Sequence, residues 1–514
     1  MSRATLVATL GFSCADKVSN SAEWRASDWL EVRADLNPEA DPAALRSAFH
    51  GKLLCSLRSR RAGGRDELSK AARCSYLRRA SRFYDFVDLE AGQDLLPDLL
   101  RFVSSSRRVI SWYGRVRDER TLEKWSEIVS QNSARLYRFE LACSTVEEGL
   151  IALQFLSRIE RNDVIAYATG PFGIWTRILA PRIGAPIAFG NFTADRDNAG
   201  GNPTISELIQ DYGFPDLQPV SEIYAIAGEP ILGSLSPRIH NAAYRASRAN
   251  RVFVSFPTSS LNGLWSRLVS SGDLEKLGMT IRGLTVAAPN KEAALNLSGR
   301  VAPLCAQCRA SNVLVKENGD WAAGTTEPEG IFHQRTVMSF NLSGTRVAVV
   351  GCGGSGRVTA AVLAQRGADV TLVNRNADRG RWSARLLGLR FVPLKEFSAR
   401  GYSMVINATP VGRQGDELPI SLKSLNPGSL IIDLVYNRTG PTPLIVSAHA
   451  LGHRVIQGSK VLLAQTLRQY LLMTGEQMPE ELARELLGIP DETTGVPESA
   501  PPLEITPKME AQRC

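Results

Sequence analysis

At 514 residues, with 44% hydrophobic and 22% charged side chains, the chain has the make-up of a globular protein of several domains, which excludes disorder, collagen and coiled coil as its main architecture. Its formal charge of +8 is spread without a basic cluster, a helix-turn-helix pattern or a zinc framework, so nucleic acid is not an expected partner. Of the 60 basic residues only 11 are lysines, and none falls between Lys124 and Lys276. Arginine stays charged and cannot act as an amine nucleophile, so this bias limits the chemistry open to the N-terminal half.

No apolar run reaches the ~18 residues that a membrane span needs. The first apolar stretch is too short for a secretory signal, and eight scattered cysteines do not make a disulfide framework. These features point to a cytoplasmic protein with reduced thiols. Cys305 and Cys308 form a single CxxC pair with no neighbouring histidine, and no metal is expected.

In chain order, β-rich apolar runs recur at 4–10, 29–35, 52–58, 83–90, 107–113, 135–142, 163–170 and 186–191, separated by stretches of helical length. Eight such runs predict a (β/α)8 barrel over 1–215, with its chemistry at the C-terminal ends of the strands. A proline-bearing segment, 216–222, reads as a linker. A new α/β pattern covers 223–340 and is completed by about 440–488. Between these, 341–439 reads as a Rossmann lobe, and 489–514, rich in Pro, Glu and Thr, as a disordered tail.

The Rossmann reading rests on the apolar strand Val347–Val350, followed by Gly351, Cys352, Gly353, Gly354, Ser355 and Gly356 and then a helix. The glycines let the backbone approach a pyrophosphate at the helix N-terminus. About 20 residues on, where an NAD site carries an acid for the ribose hydroxyl, the chain has Asn374, Arg375, Asn376 and then Arg379. Arginines without that carboxylate favour a 2′-phosphate, hence NADP.

Ahead of this lobe, Gly228-Glu229-Pro230-Ile231-Leu232-Gly233-Ser234-Leu235-Ser236-Pro237 places two hydroxyls two residues apart in an extended segment, able to face one carboxylate. With Gly283–Glu292, which contains Lys291, Ala310–Leu314, which contains Asn312, and Gly324–Gly330, which contains Glu327, the segment resembles the shikimate dehydrogenase family. The resemblance runs over roughly 223–487 and includes Asn407–Pro410, Asp433–Tyr436 and Gln465. It implies hydride transfer between NADP and a small cyclic hydroxy acid, shikimate or 3-dehydroshikimate, with Lys291 and Glu327 catalytic. It further implies that Ser234, Ser236, Thr285, Asn312, Tyr436 and Gln465 contact substrate. The cofactor contacts would be the glycine-rich turn, residues 374–376, Arg379, Thr409, Leu434 and Gly458. The chain departs from the family pattern at Glu327, where the family has Asp, at Ala287 (Thr), at Thr285 (Asn) and at Gly233 (His).

The N-terminal half resembles type I dehydroquinate dehydratase, a barrel that some organisms fuse ahead of shikimate dehydrogenase. Glu31, Arg33 and Asp35 match its E-x-R-x-D, Arg58 with Gly63-Gly64 its second motif, and Arg177 the arginine that grips the substrate carboxylate. Four residues, Glu31, Arg33, Arg58 and Arg177, are the expected acid-binding set. That family needs a lysine to form an imine and a histidine to move protons. Here Tyr137 is expected at the lysine position and Tyr113 at the histidine position, Ala62 replaces an acid, and Asn198–Asn202 replaces an S-x-P-G-Q loop. The only histidine before residue 240 is His50, ahead of strand three. The reading is a shikimate dehydrogenase fused to a barrel that has lost its Schiff base. A working bifunctional enzyme and a ligand-sensing pseudoenzyme are the alternatives, and the oligomeric state is left open.

Overall fold

The computed structural model describes residues 2–11, 18–198, 201–438, 440–490 and 506–507. The chain forms two compact units, one made of Met1–Ile223, Tyr244–Thr258 and Asn262–Thr280, the other of Tyr224–Ala243, Ser259–Leu261 and Ile281–Cys514. Among the described residues no helix is long and apolar enough to cross a membrane.

The first unit contains all eight expected strands: β1 (Thr5–Leu10), β2 (Trp29–Arg33), β3 (Lys52–Ser56), β4 (Phe86–Glu90), β5 (Arg108–Gly114), β6 (Leu136–Ala142), β7 (Val164–Thr169) and β8 (Ile187–Asn191). They run parallel in sequence order from β1 to β7, and β8 returns to pair with β1, so the sheet is a nearly closed barrel. Side chains alternate between faces along each strand. On β6, Phe139 faces the surrounding helices and meets Phe155 of α1 (Leu150–Ile159) edge-on at 5.2 Å, while Arg138 and Glu140 point inward. The expected linker is in part a strand, since Asp216–Leu217 pairs antiparallel with Ser2–Arg3.

In the second unit, β9 (Thr280–Val286), β10 (Arg300–Val301), β11 (Val313–Glu317) and β12 (Asp320–Gly324) share one sheet, with β9 antiparallel to β11 and β11 antiparallel to β12. A second sheet, wholly parallel, contains β13 (Arg346–Val350), β14 (Asp369–Asn374), β15 (Arg390–Pro393), β16 (Met404–Asn407), β17 (Leu430–Asp433) and β18 (Arg454–Ile456). Its order, β15-β14-β13-β16-β17-β18, is the doubly wound dinucleotide-binding arrangement. Both faces are covered. Val347, Val349, Leu372, Ile406 and Ile432 enter one apolar cluster, and Ala348, Val350, Val373, Val405 and Ile431 the other, which is why these strands read as unbroken apolar runs. This sheet extends past residue 439, the expected limit of the Rossmann lobe, because β18 is its sixth strand. The expected disordered tail, from 491 onward apart from 506–507, lies outside the described residues.

Candidate active site

Lys291, Glu327 and Ser355 meet in a closed triangle. Lys291 follows β9 in a turn whose backbone is fixed by Ser311 N–H donating to the Lys291 carbonyl at 2.8 Å. Glu327 opens α2 (Glu327–Phe332), just after β12. Ser355 lies in the first turn of α3 (Gly354–Gln365), after β13. The Lys291 Nζ donates to Glu327 Oε1 and to Ser355 Oγ, each at 2.6 Å, and Ser355 Oγ donates to Glu327 Oε1 at 2.7 Å. The second carboxylate oxygen of Glu327 accepts from Gln465 Nε2 at 2.8 Å, a side chain carried by α4 (Gly458–Thr474). Burial works to raise the Glu327 carboxyl, but the Lys291 charge and the hydrogen bonds from Lys291, Ser355 and Gln465 outweigh it and hold the group below its usual range.

The network continues through Thr326, whose backbone N–H donates to Asn312 Oδ1 at 2.8 Å while its hydroxyl accepts from Asn312 Nδ2 at 3.0 Å and from Gln469 Nε2 at 3.2 Å. Gln469 in turn accepts from Thr285 Oγ1 at 3.0 Å. Thr285 and Asn312 are thus tied together through Thr326 and Gln469, next in sequence and one helical turn, respectively, from Glu327 and Gln465 of the triangle. Thr326 and Gln469 escaped the sequence reading, although the spacing of Gln465 and Gln469 puts both on one face of α4.

A second cluster joins Ser234, Ser236 and Tyr436. The Ser234 Oγ lies 3.3 Å from Ser236 Oγ and 3.4 Å from Tyr436 Oη, and it accepts from the Ser236 backbone N–H at 3.2 Å. Arg438, also missed from sequence, donates to the carbonyls of Gly233 and Ser234 at 2.8 and 2.9 Å and so pins the serine segment. Two hydroxyls and a phenol converging from separate segments suit a carboxylate or a polyol.

The glycine-rich turn is shaped for close backbone approach. A Cβ at Gly356 would stand 1.9 Å from the Gly351 carbonyl oxygen, and Gly351 itself has φ +111°. Gly353 caps α3 with no side-chain hydrogen bond to the amides of its first turn. Asn374 Oδ1 accepts from Cys352 N–H at 3.2 Å, and Asn376 caps the helix Ala377–Leu387 by accepting from the Arg379 N–H at 2.9 Å. Arg375 is exposed. Arg379 is ion-paired with Glu292, the residue after Lys291, a contact the sequence did not suggest. Thr409 donates to Asn407 Oδ1 at 2.7 Å, and the Leu434 N–H donates to the Asn407 carbonyl at 3.0 Å. A Cβ at Gly458 would meet the Val435 carbonyl oxygen at 2.1 Å, so α4 can approach that loop only with glycine there.

In the barrel, the residue expected at the lysine position needs correcting. Tyr137 does not face the interior: its hydroxyl donates to the Asn132 carbonyl at 2.9 Å and its ring lies 4.7 Å from the Arg161 guanidinium. The register is one residue further along, and the inward side chain is Arg138, which is 0% exposed. Its guanidinium donates to Glu31 Oε1 and Asp88 Oδ2 at 2.8 Å each, lies 3.4 Å from Glu140 Oε1, and also contacts the Tyr113 hydroxyl. Tyr113, expected at the histidine position, faces inward and donates to Asp88 Oδ2 at 3.0 Å. Arg58 forks onto Glu140 at 2.9 and 3.0 Å, and Arg33 onto Asp35 at 2.7 and 2.9 Å. Burial raises Glu140, but the charges of Arg58, Arg138 and Arg177 pull it down to about 2; Glu31 is likewise held far below its usual range by Arg138, Arg58 and Arg33 against the effect of burial. Burial pushes the Tyr113 phenol well up. Arg177 is buried; it donates to the Phe189 carbonyl and Asn202 Oδ1 at 3.3 and 3.2 Å and stacks 4.0 Å from the Tyr167 ring. Lys52, Lys70 and Lys124 are all exposed, His50 too, and Ala62 is buried; Lys17, Ala199 and Gly200 lie outside the described residues.

Comparison with known proteins bears on both halves. A family model described as type I 3-dehydroquinase matches residues 9–218, and one described as shikimate dehydrogenase substrate binding domain matches 226–314. A shikimate dehydrogenase (NADP(+)) of Citrifermentans bemidjiense is 32% identical over 292 residues, 54% of this chain and 98% of that protein. The chain belongs to the shikimate dehydrogenase family. A second such relative, from Oleidesulfovibrio alaskensis, is 30% identical over 272 residues, 52% of this chain and 94% of the relative. The bifunctional 3-dehydroquinate dehydratase/shikimate dehydrogenase of Arabidopsis thaliana aligns over both halves, at 25% identity across 489 residues, 90% of this chain and 78% of that one. In this shikimate dehydrogenase family member, then, the dehydrogenase-type unit follows a type I dehydroquinase-like barrel in one polypeptide. Lys291 and Glu327, expected as a pair from the sequence, are in contact, and the Glu327 carboxylate reaches the ammonium, Ser355 and Gln465 together.

Proposed function

We propose that this protein is an NADP-dependent shikimate dehydrogenase, reducing 3-dehydroshikimate to shikimate, joined to a dehydroquinase-like barrel that no longer forms a Schiff base. The observation that carries the first part is the Lys291–Glu327 ion pair at 2.6 Å, held against the glycine-rich turn by Ser355. In this reading Lys291 stands at the carbonyl oxygen of the substrate, where its ammonium stabilises the developing negative charge and gives up a proton, and Glu327 orients it. Ser234, Ser236 and Tyr436 hold the carboxylate and neighbouring hydroxyl groups, with Asn312, Thr285 and Gln465 toward the ring hydroxyls. NADP, when bound, supplies or accepts the hydride. The residues fit that group: the uncapped start of α3 and the bare Gly356 admit a pyrophosphate, and Arg375 and Arg379 suit a 2′-phosphate. Thr409, Leu434 and Gly458 belong to the cofactor side of the site. The division into a barrel over 1–215, a substrate lobe over 223–340 completed by 440–488, and a cofactor lobe extended to β18 is part of this proposal. So is a cytoplasmic location, supported by the free thiols of Cys55, Cys74, Cys143, Cys305, Cys308 and Cys352.

The second part rests on Arg138. An arginine stays protonated and forms no imine, and this one is engaged by three carboxylates. A working dehydratase is the competing reading, favoured by the Arabidopsis relative that spans both halves. Two measurements decide. NADPH formation from shikimate, compared with quinate and with Lys291→Met, tests the dehydrogenase; absence of turnover with measurable NADP binding would instead favour a sensor. Incubation with dehydroquinate and borohydride is expected to leave the mass unchanged, whereas a peptide-mapped adduct, at Lys17 or elsewhere, would restore the bifunctional reading.

A further inference from the structure

Ser355 sits in the dinucleotide turn, where a hydroxyl in the first turn of a helix ordinarily satisfies backbone groups nearby. Here it turns instead toward the ion pair. Hydrogen-bond chemistry fixes the directions within the triangle. An ammonium has three N–H donors and no acceptor, so Lys291 Nζ donates both to Glu327 Oε1 and to Ser355 Oγ at 2.6 Å. The single hydroxyl proton of Ser355 then goes to Glu327 Oε1, 2.7 Å away. Glu327 and Ser355 together occupy two of the three N–H bonds. A carboxylate alone would let the ammonium turn about its Cε–Nζ bond; two acceptors on different elements stop that rotation and leave the third N–H with one direction.

We propose that Ser355 is a positioning residue for the reaction, aiming the third N–H of Lys291 from the same turn that receives the dinucleotide. The inference rests on the dehydrogenase reading. The turn then serves twice, since the element that places the hydride-bearing group also sets the direction of proton delivery and the two transfers share one frame of reference. The burial of Glu327 supports this role, because a buried carboxylate needs donors and Ser355 supplies one alongside Lys291 and Gln465. The Glu327 carboxyl is kept ionised in part by that hydroxyl.

The test uses the full-length protein with Ser355→Ala and Ser355→Thr. For Ser355→Ala the expected result is kcat lowered about tenfold or more with KM for shikimate and NADP changed less than about threefold, and an acid limb of the kcat profile moved to higher pH. Ser355→Thr, which keeps the hydroxyl, should recover most of kcat. A readout independent of turnover accompanies these: modification of Lys291 by trinitrobenzenesulfonate at fixed pH, followed by peptide mass, should quicken severalfold in Ser355→Ala and return toward wild type in Ser355→Thr. Unchanged kcat, acid limb and labelling in Ser355→Ala, or a loss confined to NADP affinity, would make Ser355 an ordinary turn residue and overturn the proposal. A wild-type protein that turns over no shikimate would sink the dehydrogenase reading instead, and the labelling would still report whether Ser355 holds the lysine.

Discussion

Arg138→Met removes a guanidinium that is 0% exposed and leaves Glu31 and Asp88, each 2.8 Å from it in the wild type, without their nearest cation. Removing one partner of a buried pair costs about 3–5 kcal/mol, because the remaining charge is stranded. The carboxylates point the same way. Glu140, ordinarily near 4.5, is held at about 2 against burial, by Arg58 first and then by Arg138 and Arg177, and a shift of that size corresponds to about 3 kcal/mol of stability at neutral pH, shared among the three arginines. The sign is that of a depressed acid: the contribution is complete above about pH 4.5 and disappears as pH falls toward 2. In the variant Arg58 still forks onto Glu140, but Glu31 keeps Arg58 at 3.7 Å and the hydroxyls of Thr9 and Ser56 at 2.7 Å. Burial then raises Glu31, and protonation relieves the strain as the solution is acidified. The barrel should therefore melt about 6–20 °C lower at neutral pH, by calorimetry and by hydrogen exchange over Leu136–Ala142. The difference should shrink by about half or more near pH 5. A melting temperature within about 2 °C of wild type at neutral pH, or a gap that does not narrow on acidification, would refute the idea that Arg138 neutralises these acids.

Lys291→Met should lower kcat about 100-fold or more with little change in NADP affinity, measured by steady-state kinetics and fluorescence titration. Arg375→Ala, at an exposed side chain, should raise KM for NADP about tenfold while leaving KM for NAD unchanged; equal effects on both would remove Arg375 from the 2′-phosphate site. Gly356→Ala should abolish NADP binding, since the added methyl would stand 1.9 Å from the Gly351 carbonyl oxygen; retained affinity by calorimetric titration would mean that the turn shifts freely.

The strands of the six-stranded parallel sheet were legible because apolar clusters cover both its faces, so that buried runs such as Val347–Val350 announce themselves without alternation. The Lys291, Glu327 and Asn312 segments were legible through their motifs, each short and local. What the sequence hid was contact between distant segments. Nothing near Ser355 predicts that its hydroxyl faces Lys291, 64 positions away, and the pairing of Glu292 with Arg379 crosses 87 positions. The error at Tyr137 has a different cause. In Leu136-Tyr137-Arg138-Phe139-Glu140-Leu141 the charged residues alternate with apolar ones, and only the barrel interior at the C-terminal strand ends can hold charge, because the other face lies under helices. That alternation places Arg138 inward and Tyr137 outward.

The scarcity of lysine in the N-terminal half has a physical sense once Arg138 and Lys291 are set side by side. An ammonium is compact, has three donors and can release a proton, which is what a group beside a reacting oxygen must do. Lys291 fits that requirement: it answers to one carboxylate and one hydroxyl, and its side chain keeps 18% exposure. A guanidinium has five donors in a rigid plane and does not release a proton, so it can bridge several acids at once but cannot form an imine or shuttle protons. Arg138 bridges Glu31, Asp88 and Glu140 from full burial. A lysine there could reach fewer of these acids, and freeing it for imine formation would strand them. On the proposed reading of a barrel without a Schiff base, Arg138 is both what forecloses an imine there and what cross-links the acids, so a lysine introduced alone, as Arg138→Lys, should lower the melting temperature in calorimetry without producing dehydration of dehydroquinate.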